Sequence, residues 1–348
     1  MDSLAECSAK RTVWEFLKGV MEDSMAHEID SSTGKPAIAY VGERPWHGLG
    51  EKLPAGAPIE TWLRAAMLEW ELKRLPVQYL VDGTLRTMED RFVLVRSDTR
   101  AALSVVSGDY EVVQPKEVLE FYRDLMKTYG YELETAGALD GGRKVWALAR
   151  TGLTEAADSG QTDKLGAYVL LATSCDKTLA TTAAFTSIRV VCQNTLFFAM
   201  EDVKTQRRPQ VKVAHNVRFD GDRVKDELGI MDKAWSGFIA KVRKMAVYPM
   251  KGDKASSFFE NLLVQKKDKA LSDKAQREHQ TILALFESAP GQELSTAKET
   301  LWGAVNAVTY YVDHVRKTTA GDRLDGAWFG SGRALKEKSW ASASSLLS

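Results

Sequence analysis

The chain has 348 residues, 44% of them hydrophobic and 27% charged, which is enough for one extended domain or two ordinary ones with a real core. No apolar run approaches the roughly 20 residues that span a bilayer, and the first 30 residues lack the basic start and apolar stretch of a secretory leader, so a cytoplasmic protein is expected. Cys7, Cys175 and Cys192 are too far apart for a C-x-x-C pair, which argues against a disulfide framework and a structural zinc site and leaves reduced thiols.

Residues 1–30 read as an appendage, with Val13, Trp14, Phe16 and Leu17 forming at most one short amphipathic helix. Residues 31–219 read as an α+β core. Ile59, Trp62, Leu63, Ala66 and Met67 recur at helical spacing and predict a helix from Pro58 to Glu69. Asp82-Gly83 then predicts a two-residue hairpin turn, because both positions tolerate positive φ. Phe92 to Arg96, Ala102 to Val106 and Tyr110 to Val113 read as consecutive antiparallel strands, and Pro115 opens a helix to Tyr129. A second hairpin joins Glu132–Leu139 to Lys144–Ala149, and a third joins Ala167–Ser174 to Leu179–Phe185. All are expected in one antiparallel sheet, with Thr154 to Asp163 an exposed loop.

Residues 220–348 read as a helical, basic C-terminal extension that packs back on the core. Val224, Leu228, Met231, Trp235, Phe238, Val242 and Met245 form a three-heptad stripe, which predicts one long helix, either buried internally or used in self-association. Asp220, Asp222, Asp226 and Glu227 fit its polar first turn better than a metal site. Further helices are expected over Lys254–Val264, Asp273–Glu287 and Thr296–Val315, with a last one around Ala334.

Three motifs stand apart from this pattern. Arg189-Val190-Val191-Cys192-Gln193-Asn194-Thr195 puts a thiol at an expected strand-to-helix junction, where a helix N-terminus lowers a thiol pKa. A buried thiol is the favoured reading, with Gln193, Asn194 and Thr195 capping the helix start. Trp46-His47-Gly48-Leu49-Gly50 offers a stacking face and a titratable donor on a permissive backbone; plugging a sheet edge is favoured over base stacking. Ala327-Trp328-Phe329-Gly330-Ser331-Gly332-Arg333 lacks the lysine and Ser/Thr of a phosphate loop, and reads as a turn whose rings anchor the last helix. In this order the three resemble the signature of the phage/plasmid-like protein family (domain of unknown function 932), over roughly residues 35 to 340. The resemblance implies a mobile-element setting and no settled activity.

Charge supplies the functional expectation. Residues 1–150 hold 19 Lys+Arg against 24 Asp+Glu, whereas Val203 to His279 holds 18 against 10. Arg207, Arg208, Lys212, Lys241, Arg243, Lys244, Lys266 and Lys267 are its candidate phosphate contacts, unless they form a lysine-rich solvated helix face. Interleaved with Trp235, Phe238, Tyr248, Phe258 and Phe259, they suggest a DNA-binding protein that prefers single strands, acting in recombination or replication. The alternative is a protein-interaction module that binds a host replication, repair or defence protein. No motif implies a cofactor, a metal or a membrane partner, and none makes the positive case for an enzyme. Homo-oligomerisation is a further expectation.

Overall fold

The structure is a computed structural model that describes residues 29–43, 45, 48–189, 191, 194–197, 210–228, 231–264, 271–316 and 323–348. Among them, two antiparallel-rich sheets replace the single expected sheet. The larger holds β1 (Ile38–Tyr40), β2 (Glu51–Lys52), β6 (Glu132–Leu139), β7 (Lys144–Ala156), β8 (Lys164–Ser174), β9 (Thr181–Arg189), β10 (Asn194–Phe197) and β11 (Gln210–Val213). Their order is β10-β9-β8-β7-β6-β1-β2, and β11 shares the outer edge of β9 with β10. The smaller sheet is β3 (Leu72–Val81), β4 (Thr84–Arg96) and β5 (Ala102–Ser107). Tyr110–Val113 is not a strand: Tyr110 is buried, and its hydroxyl donates to the Ser174 carbonyl at 2.9 Å, which spends the segment on joining the two sheets.

The predicted hairpins form, and their turns follow the residues. Asp82 and Gly83 both adopt positive φ, 48° and 76°, as a twisted two-residue turn requires. Helix α1 (Ile59–Ala65) is shorter than expected, because Met67 turns left-handed at φ 56°. Helix α2 (Pro115–Tyr129) keeps its expected bounds: Glu117 accepts the Gln114 N–H at 2.7 Å, and Gly130 ends the helix at φ 67°. It lies across β6, β7 and β8, and the buried Tyr122 hydroxyl donates to the carbonyls of Ala147 and Val169.

The opposite face of the large sheet carries the C-terminal helices. The expected long helix is two, α3 (Gly221–Leu228) and α4 (Met231–Val247). The stripe members Val224, Trp235, Phe238, Val242 and Met245 are buried inside the molecule, so these positions serve the core and not self-association. They are followed by α5 (Asp253–Leu263), α6 (Asp273–Ser288) and α7 (Leu301–Tyr310), a π-helical turn (Tyr311–Val315), α8 (Arg323–Trp328) and α9 (Ser331–Ser345). Phe238 of α4 stacks on Trp340 of α9 at 4.9 Å, and every residue of α7 is buried. On α7, Asn306 and Thr309 turn back onto the carbonyls of Trp302 and Val305, which satisfies them inside an apolar layer.

The segment expected as an exposed loop begins as strand and ends in a buried, multiply bonded carboxylate. Thr154–Ala156 pair with Lys164–Gly166, and Asp163 is fully buried. Its Oδ1 accepts Arg189 Nε at 2.6 Å, and its Oδ2 accepts Arg189 Nη2, Thr296 Oγ1 and Trp302 Nε1 at 2.9, 2.6 and 3.0 Å. Arg189 Nη2 also donates to the Gly291 carbonyl, and Gly291 sits at φ 82° where a Cβ would fall 2.6 Å from Val191. Removing one partner strands a buried charge. Asp163→Ala and Arg189→Ala are each expected to cost about 3–5 kcal/mol, and Arg189→Lys to recover only part of it, since an ammonium cannot reproduce the two-pronged contact. Urea denaturation checks this, and a loss below about 1 kcal/mol, the range of exposed pairs, would contradict it.

Candidate ligand cavity

The C-terminal helices do not close completely on the large sheet. A cavity of about 420 Å³ remains between them, within the size range of ligand pockets. Its floor is a set of cross-strand neighbours. Trp146, Leu148 and Arg150 alternate along β7 and so share one face, Tyr168 stands opposite Arg150, and Thr135 stands opposite Leu148. The register slips between Leu133 and Thr135, and this bulge leaves the consecutive residues Glu134 and Thr135 both lining the cavity. Ile38 and Tyr40 of β1, Ile188 of β9 and Thr195 of β10 complete it, and the roof is Asp313 and His314 of the π turn with Ala327 and Trp328.

The charges are paired. Arg150 donates through Nε and Nη2 to Glu134 Oε2 at 3.0 and 2.7 Å, and the Tyr168 hydroxyl donates to Glu134 Oε1 at 3.3 Å. Burial works against the Arg150 charge, but the Glu134 hydrogen bonds and charge more than offset it and raise its pKa. Burial, with the Glu134 charge, pushes the Tyr168 phenol well above its ordinary value. Arg150 keeps 41% of its side chain exposed, so the pair stands where the cavity meets solvent. Asp313 is committed on both oxygens, to the Thr195 N–H at 2.8 Å and to Lys336 Nζ at 2.7 Å. Burial pulls the Lys336 ammonium below its ordinary pKa, against the opposing pull of Asp313. Trp146 meets Trp328 edge-on at 5.1 Å, and the His314 ring lies 4.5 Å from Tyr310. The described lining includes no serine, cysteine or lysine.

Two signature segments contribute to the lining, through Thr195 and through Ala327-Trp328, and Pro45, which precedes the Trp46–Gly50 motif in sequence, lines the rim. The family model described as Domain of unknown function (DUF932) matches residues 102–329. The chain belongs to this family. No curated protein and no solved structure matches it. In this DUF932 member the matched stretch supplies the floor from β6 to β10 and the roof through Trp328, while β1 and the Val41–Pro45 rim precede it.

The candidate residues divide sharply. Trp46, His47, Cys192, Gln193, Arg207, Arg208, Lys266 and Lys267 lie outside the described residues. The expected strand-to-helix junction is corrected: residues 194–197 are β10, antiparallel to β9, so Asn194 and Thr195 cap no helix. A Thr-Leu-Phe run suits a strand better than a first helical turn. Arg189 is structural, through Asp163. Gly48 donates its N–H to Pro45 in a turn, and nearby Gly50 holds φ 107°, where a Cβ would lie 2.9 Å from Ile38. Trp328 lines the cavity, Phe329 packs on Trp328 at 6.2 Å, and Gly330 starts α9. Lys212 and Lys244 are exposed and Lys241 half-buried, whereas Arg243 binds Glu155 at 2.7 Å; none lines the cavity. Trp235, Phe238, Phe258 and Phe259 are buried, so they are not stacking surfaces, and Tyr248 has the Lys254 ammonium 4.1 Å from its ring centre.

Sequence reasoning missed Glu134, Arg150, Tyr168, Asp313, His314 and Lys336. Only Asp313-His314 carried a signal, as polar residues in an apolar helical run. Cys175 is buried, and burial, with the Asp176 charge, pushes its thiol up to about 12. The thiolate is the reactive form. Alkylation of the native protein at pH 8, read by peptide mass spectrometry, should therefore leave Cys175 unmodified until denaturant is added. Rapid native labelling of Cys175 would contradict its burial.

Proposed function

We propose that this protein is a DNA-binding accessory protein of a phage or plasmid, acting in the cytoplasm of the bacterial host on single strands during recombination or replication, without a reaction of its own. The cavity carries this reading. Its walls are largely aromatic and aliphatic, and a guanidinium stands where it opens. An unstacked base has the flat apolar faces that such walls accept. Exposed Lys212 and Lys244 supply backbone contacts that a base pocket alone lacks. A duplex keeps its bases stacked, which favours single strands.

Fluorescence anisotropy with labelled single-stranded and duplex oligonucleotides, between about 50 and 200 mM salt, tests this directly. Single strands should bind more tightly. Trp328→Ala should weaken that binding about 10-fold, within the range of one lost base stack, and leave the salt dependence alone. Replacing Lys212, Lys241 and Lys244 with Ala should instead reduce the slope of log affinity against log salt by about 2, at roughly 0.7 per lost phosphate contact. Absence of binding to either form at low salt would refute the proposal.

A second reading, interaction with a host protein, is favoured by one observation. The β3–β4 hairpin and its neighbour β5 expose Leu75, Tyr79, Leu80, Val81, Leu85, Met88 and Val105, and Leu80 lies directly opposite Leu85. Apolar residues concentrated on one exposed arm make it a candidate interaction surface. A host partner held by this arm should be retained from nuclease-treated lysate by the native chain and lost with Leu80→Glu/Leu85→Lys. Retention by both chains would remove the arm from that role.

A further inference from the structure

The cavity floor contains two buried polar atoms with no hydrogen-bond partner in the protein, Trp146 Nε1 and Thr135 Oγ1. Both belong to residues that line it. Thr135 pairs across the ladder with Leu148, two residues along β7 from Trp146, so the two are diagonal neighbours, about 7–8 Å apart along the sheet. An indole N–H can only donate, and a threonine hydroxyl donates or accepts. Buried groups of this kind are ordinarily paired, and their exceptions call for an explanation.

Resting on the strand-binding reading above, we infer that the cavity receives a neutral pyrimidine-dione ring, the thymine or uracil class, with Trp146 Nε1 and Thr135 Oγ1 as the donors to its two carbonyl groups. The ring is flat, uncharged and small enough for the space, and its two carbonyl oxygens accept without offering a proton. A base that turns an exocyclic amine toward Trp146 sets donor against donor. Charge gives the same direction: Glu134 is already held by Arg150 and Tyr168, and Asp313 by Thr195 and Lys336, so the described lining offers an incoming amine no uncommitted carboxylate deep in the cavity. Adjacent apolar groups, Leu148 and Trp328, cover the ring faces. The same ring could arrive on a strand or as a free nucleoside, and the chemistry of the floor is shared by both.

The test compares oligonucleotides of about 16 nucleotides, all thymidine, all deoxyuridine, all deoxycytidine or all deoxyadenosine, with free thymidine as competitor. The native chain should favour thymidine and deoxyuridine strands about 10-fold over the other two, and thymidine should displace them. Trp146→Phe and Thr135→Val remove the donors while keeping ring or shape, and each should bring the thymidine and deoxyuridine strands down to the affinity of the other two. Strands bound without preference, or a preference indifferent to both variants, would overturn the inference while leaving the strand-binding reading intact. Thymidine bound with the same sensitivity to the variants but no strand bound would keep the inference and reject strand binding. No binding of any probe would reject both. Thermal melting of Thr135→Val, the change closest in shape, confirms that loss of preference is not loss of fold.

Discussion

The fold depends on a buried ion pair. Arg189 and Asp163 are each at most 1% exposed, and ions taken so far from water are costly unless every lone pair and N–H near them is used. Here the use is thorough: Asp163 takes both prongs of the guanidinium, a hydroxyl and an indole N–H, while Arg189 also reaches a carbonyl. Its geometric effect exceeds the strength of any single bond. Arg189 closes β9, Asp163 precedes β8, and Thr296, Trp302 and Gly291 belong to the chain leading into and through α7. One carboxylate thereby sets the distance between the sheet and the helical layer above it. The cavity is what that spacing leaves.

A second buried pair holds the same layer from the other side. Lys336 of α9 reaches Asp313 and the Thr195 carbonyl, while the Thr195 N–H reaches Asp313, so a helix, the π turn and an edge strand meet at one point. Burial lowers the pKa of the Lys336 ammonium, which identifies the site as one where charge is tolerated for the contacts it makes. The π turn suits this role. Its i→i+5 bonding widens the helix where the consecutive Asp313 and His314 both line the cavity. A second buried arginine, Arg96, ties Asp30, Asp98 and the Gly141 carbonyl across the joint between the two sheets, with its guanidinium 4.3 Å from the Trp70 ring centre.

Local chemistry was legible and long-range pairing was not. Asp82-Gly83, Pro115 and the turn at Asp140–Gly142 specify their elements within a few residues, and the hairpins and α2 follow. The partition into two sheets turns on Tyr110, whose role as a bridge to Ser174 involves a residue 64 positions away and leaves no local trace. Asp163 looked like a loop residue because its partners, Arg189, Thr296 and Trp302, are dispersed along the chain. The aromatic residues between Trp235 and Phe259 misled for a different reason. Their spacing is that of a helix face, and basic residues beside a helix face look the same whether the rings point outward or into the core; only the α9 ring Trp340, stacked on Phe238, decides it. The cavity itself was partly foreshadowed, since two of the three signature segments border it, but its polar content was not. Glu134 enters through a bulge that no spacing rule announces.

The separation between cavity and lysines has a mechanistic consequence. Lys212 and Lys244 are solvated and would meet a phosphate without desolvation, so any contribution they make is Coulombic and falls with salt. The cavity works in the opposite regime. Its charges are already paired, and what it offers a ligand is apolar surface, edge-on rings and unsatisfied donors, none of which competes with dissolved ions. A strand engaging both would be held by two terms with different salt dependence, and high salt would strip the first while sparing the second. Under the proposed strand binding, selectivity among bases would belong to the cavity alone, because backbone phosphates are identical along the strand.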